Sequence, residues 1–446
     1  MLRKSCLALA LGAGVLATPA LCFAFDPLAV KTTVDTELSK GYPALDVLFK
    51  DIHEHPELGF QETRTAALLA KQMRELGFTV TEHVGKTGIV AIYKNGAGPT
   101  VLVRTELDAL PLEEKTGLPY ASKAKQVWQG KEVSVDHACG HDIHMTTWVG
   151  TAKALLSMKD QWHGTLMFIG QPSEEGATDG ISGAKAMLND GLFTRFPKPD
   201  VGFALHNMPL PFGVYYRAGV VTSNSNDLLI TFHGKGSHGS MPQESIDPVL
   251  MAARFVVDVQ AVISREKDPA AFGVVTVGAI QSGSAGNIIP DTAVLRGTIR
   301  SYDASVREKL FAGITRTAQA EAQMSGAPAA DVDLHGGVNY GAVVNDGAIT
   351  ERVAAAFNAA FGDQAHAVPK PLSGSEDYSE FINAGVPSLY FFIGSYEPQR
   401  VADAKKSGIT LPVNHSPMYA PVPEPTIRTG VEAMTIAVMS AMESKS

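Results

Sequence analysis

The segment Asp136-His137-Ala138-Cys139-Gly140-His141-Asp142-Ile143-His144 packs one thiol, three imidazoles and two carboxylates into nine residues. Such a mixed donor set is what a transition metal selects. Cys139 and His141 are two apart, so an extended backbone would turn both to one face. The bland alternative is a polar loop around one buried cysteine, and the density of its neighbours weighs against it. A second cluster, Gln171-Pro172-Ser173-Glu174-Glu175-Gly176, sets two carboxylates side by side. Adjacent carboxylates repel unless a cation neutralises them. With a metal present, one can ligate while the other acts as general base, because a metal-held water has a pKa of about 7. Standing alone, such a pair is as readily a solvated acidic turn.

Two isolated histidines, His206 in Ala204-Leu205-His206-Asn207 and His415 in Asn414-His415-Ser416-Pro417, sit in strand-terminal settings. Singly, each reads as an ordinary polar histidine; with the two clusters they complete a donor count suited to two metals. Gly234-Lys235-Gly236-Ser237-His238-Gly239 matches the glycine pattern of dinucleotide-binding turns, with Asp258 at about the right distance. That reading fails because the pattern needs a helix at the turn, whereas Pro242 and Pro248 delay it and Asp258 falls inside the helix. A glycine-rich turn presenting His238 is simpler. No Gly-x-Ser-x-Gly elbow occurs, against a serine hydrolase of the α/β type. His53 and His55 resemble ligands by type but precede a helix with its own capping residues, and are assigned to structure.

Strand-like and helix-like patterns alternate from about Leu45 to Gly341, which predicts an α/β fold with a largely parallel sheet. The short apolar runs 101–103 and 166–169 read as buried strands, each leading into an acidic segment. Loops beyond strand C-termini build the sites of such sheets, so the acids are placed as an active-site rim requires. Near Arg217 the character changes. Strands at 228–232, 274–277 and 293–299, and a helix from Asp247 towards Arg265, predict an inserted α+β domain over 218–332. Asp247 and Pro248 are an N-cap and first helical residue. The first domain then comprises 25–217 and 333–446.

Arg3 and Lys4, the apolar stretch from Leu7 to Leu21 and the small-residue site ending at Ala24 read as a signal peptide over 1–24. The stretch is shorter than the ~20 residues that span a bilayer, so no membrane anchor is expected, and the mature chain would be periplasmic or secreted. Its removal would leave Cys139 as the one remaining cysteine of three, excluding a disulfide within one chain. The net charge of −9 becomes still more negative without Arg3 and Lys4, which excludes nucleic acid as an expected partner. A length of 446 residues allows about two domains, each with its own core.

Thr105-Glu106-Leu107-Asp108-Ala109-Leu110-Pro111, Cys139-Gly140-His141-Asp142, Glu174-Glu175, His206, Gly234 to His238, and His415-Ser416-Pro417 together resemble the dinuclear metallopeptidases that include aminoacylase and carboxypeptidase G. The branch of hippurate hydrolase and the auxin-conjugate (IAA-amino acid) hydrolases is the most similar. The motifs run in order from about His53 to His415, nearly the whole mature chain. The resemblance implies a zinc-peptidase-like catalytic domain and an inserted lid or dimerisation domain, giving a homodimer. It implies two divalent metals held by Cys139, His141, Glu175, His206 and His415, with zinc expected first and manganese, cobalt or nickel suited to the same donors. It further implies Glu174 as general base, and Asp108 behind the site orienting a ligand. His238 would stabilise the oxyanion, often across a dimer, and Asn287 and Arg300 would hold the substrate carboxylate. Glu106 departs from the branch's usual aspartate, and Ser237, Gly239 and Ser240 replace the commoner residues around His238.

The expected activity is hydrolysis of the amide of an N-acyl amino acid or small peptide by a metal-activated water. A non-catalytic periplasmic receptor for such molecules is the rival, and the intact Glu174-Glu175 pair speaks against it. A mononuclear zinc hydrolase of another class is a second rival, which a metal-to-protein ratio near one would favour.

Overall fold

The computed structural model describes residues 25–176 and 180–442; the expected leader lies outside the described residues. One eight-stranded sheet organises most of the chain, in the spatial order Thr79–Val84, Gly88–Asn95, Gly164–Gln171, Thr100–Glu106, Val201–Pro211, Ser388–Tyr396, Val214–Tyr216 and Ala365–Ala367. Its four central strands, from Gly164–Gln171 to Ser388–Tyr396, are mutually parallel, so their C-terminal ends open on one edge. Antiparallel pairs occur towards the edges. The expected α/β fold with a mostly parallel sheet is what is found.

The first helix, Pro27–Glu54, starts where Asp26 Oδ1 accepts from the N–H groups of Leu28 and Ala29, and Pro27 stands where its missing N–H costs nothing. Val30, Val34, Leu38, Tyr42, Leu45, Phe49 and Ile52 then bury one stripe at helical spacing. The helix His141–Ser157 is buried without a break from His141 to Ala152, because the sheet lies on one side and the helices Pro27–Glu54 and Pro423–Met442 on the other. A Cβ on Gly150 would come within 2.6 Å of Val431, so the glycine permits the close approach to Pro423–Met442. No described helix is long and apolar enough to cross a membrane.

A second, five-stranded antiparallel sheet is built from Gly273–Gln281, Thr292–Ser301, Ser225–His233, Asp331–Asp333 and Asn339–Tyr340. Its core is separate: Leu228, Ile230 and Phe232 alternate inward against Phe255 and Ile314 of the helices Pro248–Ala261 and Ala304–Met324. Asp247 caps the first of these at 2.9 and 3.3 Å, and a π-helical turn, Val262–Glu266, carries it on past Arg265. From the opposite face of this sheet, Asp227, Thr298 and Arg300 line a cleft shared with the parallel strand ends.

Candidate metal centre and active site

Asp108 follows the strand Thr100–Glu106, and Glu174 and Glu175 follow the strand Gly164–Gln171. His206 lies within Val201–Pro211 rather than at its end. Cys139 and His141 do not share a face through an extended backbone, as their spacing suggested. Gly140 between them adopts φ 92° and is the N-cap of the helix that His141 begins. A Cβ at Gly140 would fall 2.4 Å from the Asn207 side chain, so both conformation and space demand glycine. The left-handed turn swings Cys139 towards His206, with Sγ to Nε2 at 3.3 Å.

His415 arrives from beyond the strand Ser388–Tyr396, pinned by its N–H to the Ala138 carbonyl at 2.8 Å, while Asn414 donates to the Cys139 carbonyl at 2.8 Å. Its φ of 69° is strained for a non-glycine residue and persists because those bonds fix the loop. His415 Nε2 lies 3.3 Å from Cys139 Sγ and 3.0 Å from Glu175 Oε1. His141 Nε2 lies 3.9 Å from a carboxylate oxygen of both Glu174 and Glu175. The five expected ligands thus converge beside Glu174.

Hydrogen bonding fixes which ring nitrogens are free. His141 Nδ1 stands 2.7 Å from the Asp108 carbonyl, and His206 Nδ1 stands 2.7 Å from the Asn207 carbonyl. A carbonyl only accepts, so in each ring the proton is on Nδ1 and the Nε2 lone pair faces the cluster. Buried His141 Nε2 has no hydrogen-bond partner. An orphaned imidazole nitrogen, a thiol and paired carboxylates gathered within 4.8 Å in overlapping groups are a donor set that fits divalent metal.

The electrostatics say the same. Burial pushes the Cys139 thiol well up, and Glu175 and Glu174 push it further. Burial also pushes Glu174 well up, with Glu376 and Glu175 adding to it. Burial would raise Glu175 too, but His415 and His141 outweigh it and hold this carboxyl at about 2. Burial depresses His206 to about 3, so its imidazole is neutral, the form that ligates.

Asp108 does sit behind His141, yet it orients the ring through its backbone carbonyl. Its carboxylate instead accepts the Glu175 N–H at 2.9 Å. A buried network outside the expected site also supports it. His144, one turn along the helix from His141, stands between Glu106 and Asn207, with Nδ1 3.0 Å from Glu106 Oε2 and Nε2 2.8 Å from Asn207 Oδ1. Arg104, fully buried, pairs with the other Glu106 oxygen, with Glu376 at 2.7 Å and with Asp377 at 3.1 Å. The i, i+3 spacing of His141 and His144 was the one local signal for this network.

A cleft of about 590 Å³ opens over the cluster. Cys139, Glu174, Glu175, His206 and His415 form its floor, and Thr298 and Arg300 come from the second sheet. Met208, Val338, Leu372 and Phe392 supply apolar wall. Arg300 Nη1 donates to Ser375 Oγ at 2.6 Å and makes no salt bridge among the described residues, which puts a cation on the cleft wall. His238 and Asn287 are not brought here. They neighbour each other on the two-stranded ladder of Ser237–His238 with Ile288–Ile289, both exposed, and neither lines the cleft.

A model described as Peptidase family M20/M25/M40 matches residues 102–407. A hippurate hydrolase of Campylobacter jejuni is 37% identical over 342 residues, covering 74% of this chain and 82% of the relative. Thermostable carboxypeptidase 2 of Saccharolobus solfataricus is 34% identical, covering 86% and 92%. N-acetyl-L-cysteine deacetylase of Bacillus subtilis is 33% identical, covering 78% and 79%. Among solved structures, the Bacillus subtilis YxeP protein, a dinuclear metal binding peptidase, superposes with a TM-score of 0.72 at 26% identity, covering 91% of this chain and 99% of that one.

Proposed function

The chain belongs to peptidase family M20/M25/M40 and is a hydrolase of amide bonds, and on that premise we propose that it deacylates N-acyl amino acids of the N-acetyl or N-benzoyl kind or cleaves small peptides. One observation carries the reading: Glu174 stands at the edge of the donor cluster, with the unpaired Arg300 across the same cleft. Cys139, His141, Glu175, His206 and His415 would hold two divalent cations, zinc first among them. Bound there, the cations supply Lewis acidity and a water of lowered pKa.

The chain's own residues do the rest. Arg300 takes the substrate carboxylate and fixes the amide over the floor. Glu174, the carboxylate left over from ligation and kept ionised by the positive charge the bound cations would bring, takes a proton from the attacking water and delivers it to the departing nitrogen as the C–N bond breaks. His238 and Asn287 are exposed and do not line their own cleft, so we assign them to the cleft of a second copy in a homodimer joined through the inserted domain, where His238 stabilises the developing oxyanion. The leader-like N-terminus supports export.

Glu174→Gln decides the central assignment. It keeps the shape of the side chain but cannot take a proton, so turnover of N-acetyl, N-benzoyl and dipeptide substrates should fall by about 10²-fold or more with metal content unchanged. Full activity in that variant would overturn the role of Glu174. Failure of a chelator to abolish wild-type turnover would overturn the metal.

A further inference from the structure

Behind the start of the helix His141–Ser157, an imidazole and three carboxylates meet at a place the reaction does not use. His53, only 4% exposed, lies one residue before the end of the helix Pro27–Glu54. Its Nδ1 is 2.7 Å from Asp142 Oδ2, and its Nε2 is 3.2 Å from Glu114 Oε2. Asp136 faces the same point. It is 1% exposed, and neither of its carboxylate oxygens has a hydrogen-bond partner. One donor atom from each of His53, Glu114 and Asp136 lies within 4.8 Å of the other two.

The parts are held as a ligand shell would be. Asp142 Oδ1 accepts the Ile143 N–H at 2.8 Å, which leaves Oδ2 to hold His53 Nδ1. A carboxylate on one imidazole nitrogen turns the other into the stronger ligand and fixes the ring plane. Glu114 is steadied by the Ser122 N–H at 2.5 Å and by the Thr116 hydroxyl. Asp136 has no such support, and two desolvated carboxylates facing one imidazole are short of positive charge.

We propose that His53, Glu114 and Asp136 form a further divalent-cation site, with Asp142 fixing His53 from behind. One imidazole nitrogen and two carboxylate oxygens suit zinc or manganese, while an imidazole is a poor donor for calcium or magnesium. The site is structural. It ties the first helix and the 114–122 loop to the 136–142 segment, which also carries Cys139 and His141, so an ion here would stiffen the base of the catalytic cluster.

The test counts ions on the intact chain. After reconstitution with zinc or manganese and removal of free metal, wild type should hold three ions per chain, Asp136→Asn two, and a His206→Ala/His415→Ala double variant at least one. Anomalous diffraction from wild-type crystals should place a peak beside His53 Nε2 in addition to any at Cys139. Equal ion counts in wild type and Asp136→Asn, or no peak beside His53, would overturn the site and leave a metal-free ion pair. An ion at His53 with none at Cys139 would support this site while overturning the catalytic reading, so the two failures are distinguishable.

Discussion

The backbone carbonyl of Asp108 lies 2.7 Å from His141 Nδ1, and its carboxylate holds the Glu175 N–H at 2.9 Å. One residue thus aims two donors that arrive on different elements, one through main chain and the other through side chain. Asp108→Ala keeps the carbonyl contact but frees the Glu175 backbone, so metal affinity should fall by about 10- to 100-fold. Asp108→Asn can still accept the N–H through Oδ1 and should lose much less. Metal titration followed by calorimetry separates the two. Equal affinities in wild type and Asp108→Ala would remove Asp108 from the site.

Among the described residues Arg300 has Ser375 as its hydrogen-bond partner and makes no salt bridge, so its charge is available to a ligand. A charge-assisted bond to a substrate carboxylate contributes about 1.5 to 3 kcal/mol. Arg300→Met should therefore lower kcat/KM for N-acyl amino acids by about 10- to 100-fold. The loss should vanish for the matching amino acid amides, which present no carboxylate. Arg300→Lys should recover part of it, since the point charge remains without the fork. Equal losses on acids and amides would show that Arg300 shapes the cleft without reading the carboxylate.

The clusters around Cys139 and His141 and around Glu174 and Glu175 were legible from their dense metal-binding side chains, and the resemblance added His206 and His415 as the remaining ligands. The turn that brings them together was not. Two-residue spacing suggested an extended segment, while the backbone bends through Gly140 at φ 92°. The reason is packing against Asn207, a residue distant in sequence. His53 read as structural for a similar reason: its partners Glu114 and Asp142 are 61 and 89 residues away, and no local pattern reports them. The helix and strands of the inserted domain were legible from Asp247-Pro248 and from the alternation of Leu228, Ile230 and Phe232. The placement of His238 and Asn287 was not, because a motif states a residue's type and neighbours but not the direction its hairpin takes.

Glu62 offers a pH test at a buried carboxyl that is not itself an assigned ligand. Its carboxyl accepts from the Ser173 N–H at 2.8 Å and the Thr87 hydroxyl at 2.5 Å, steadying the turn that precedes Glu174. Burial, with Asp108 adding to it, raises this carboxyl from 4.5 to about 8 despite those bonds. Between these values the folded chain keeps a proton that the unfolded chain has released. Stability from this group is therefore full below pH 4.5, falls as pH rises, and is gone above about 8. The span corresponds to several kcal/mol, on the order of 1.4 per unit. Glu62→Gln carries no titrating proton, so its stability should be flatter across pH 5 to 8 and should exceed wild type above pH 8. Urea unfolding of the chelated protein at a series of pH values reads the difference, with metal binding kept out of the comparison. Parallel stability curves for the two proteins would mean that Glu62 is ionised in the fold at neutral pH.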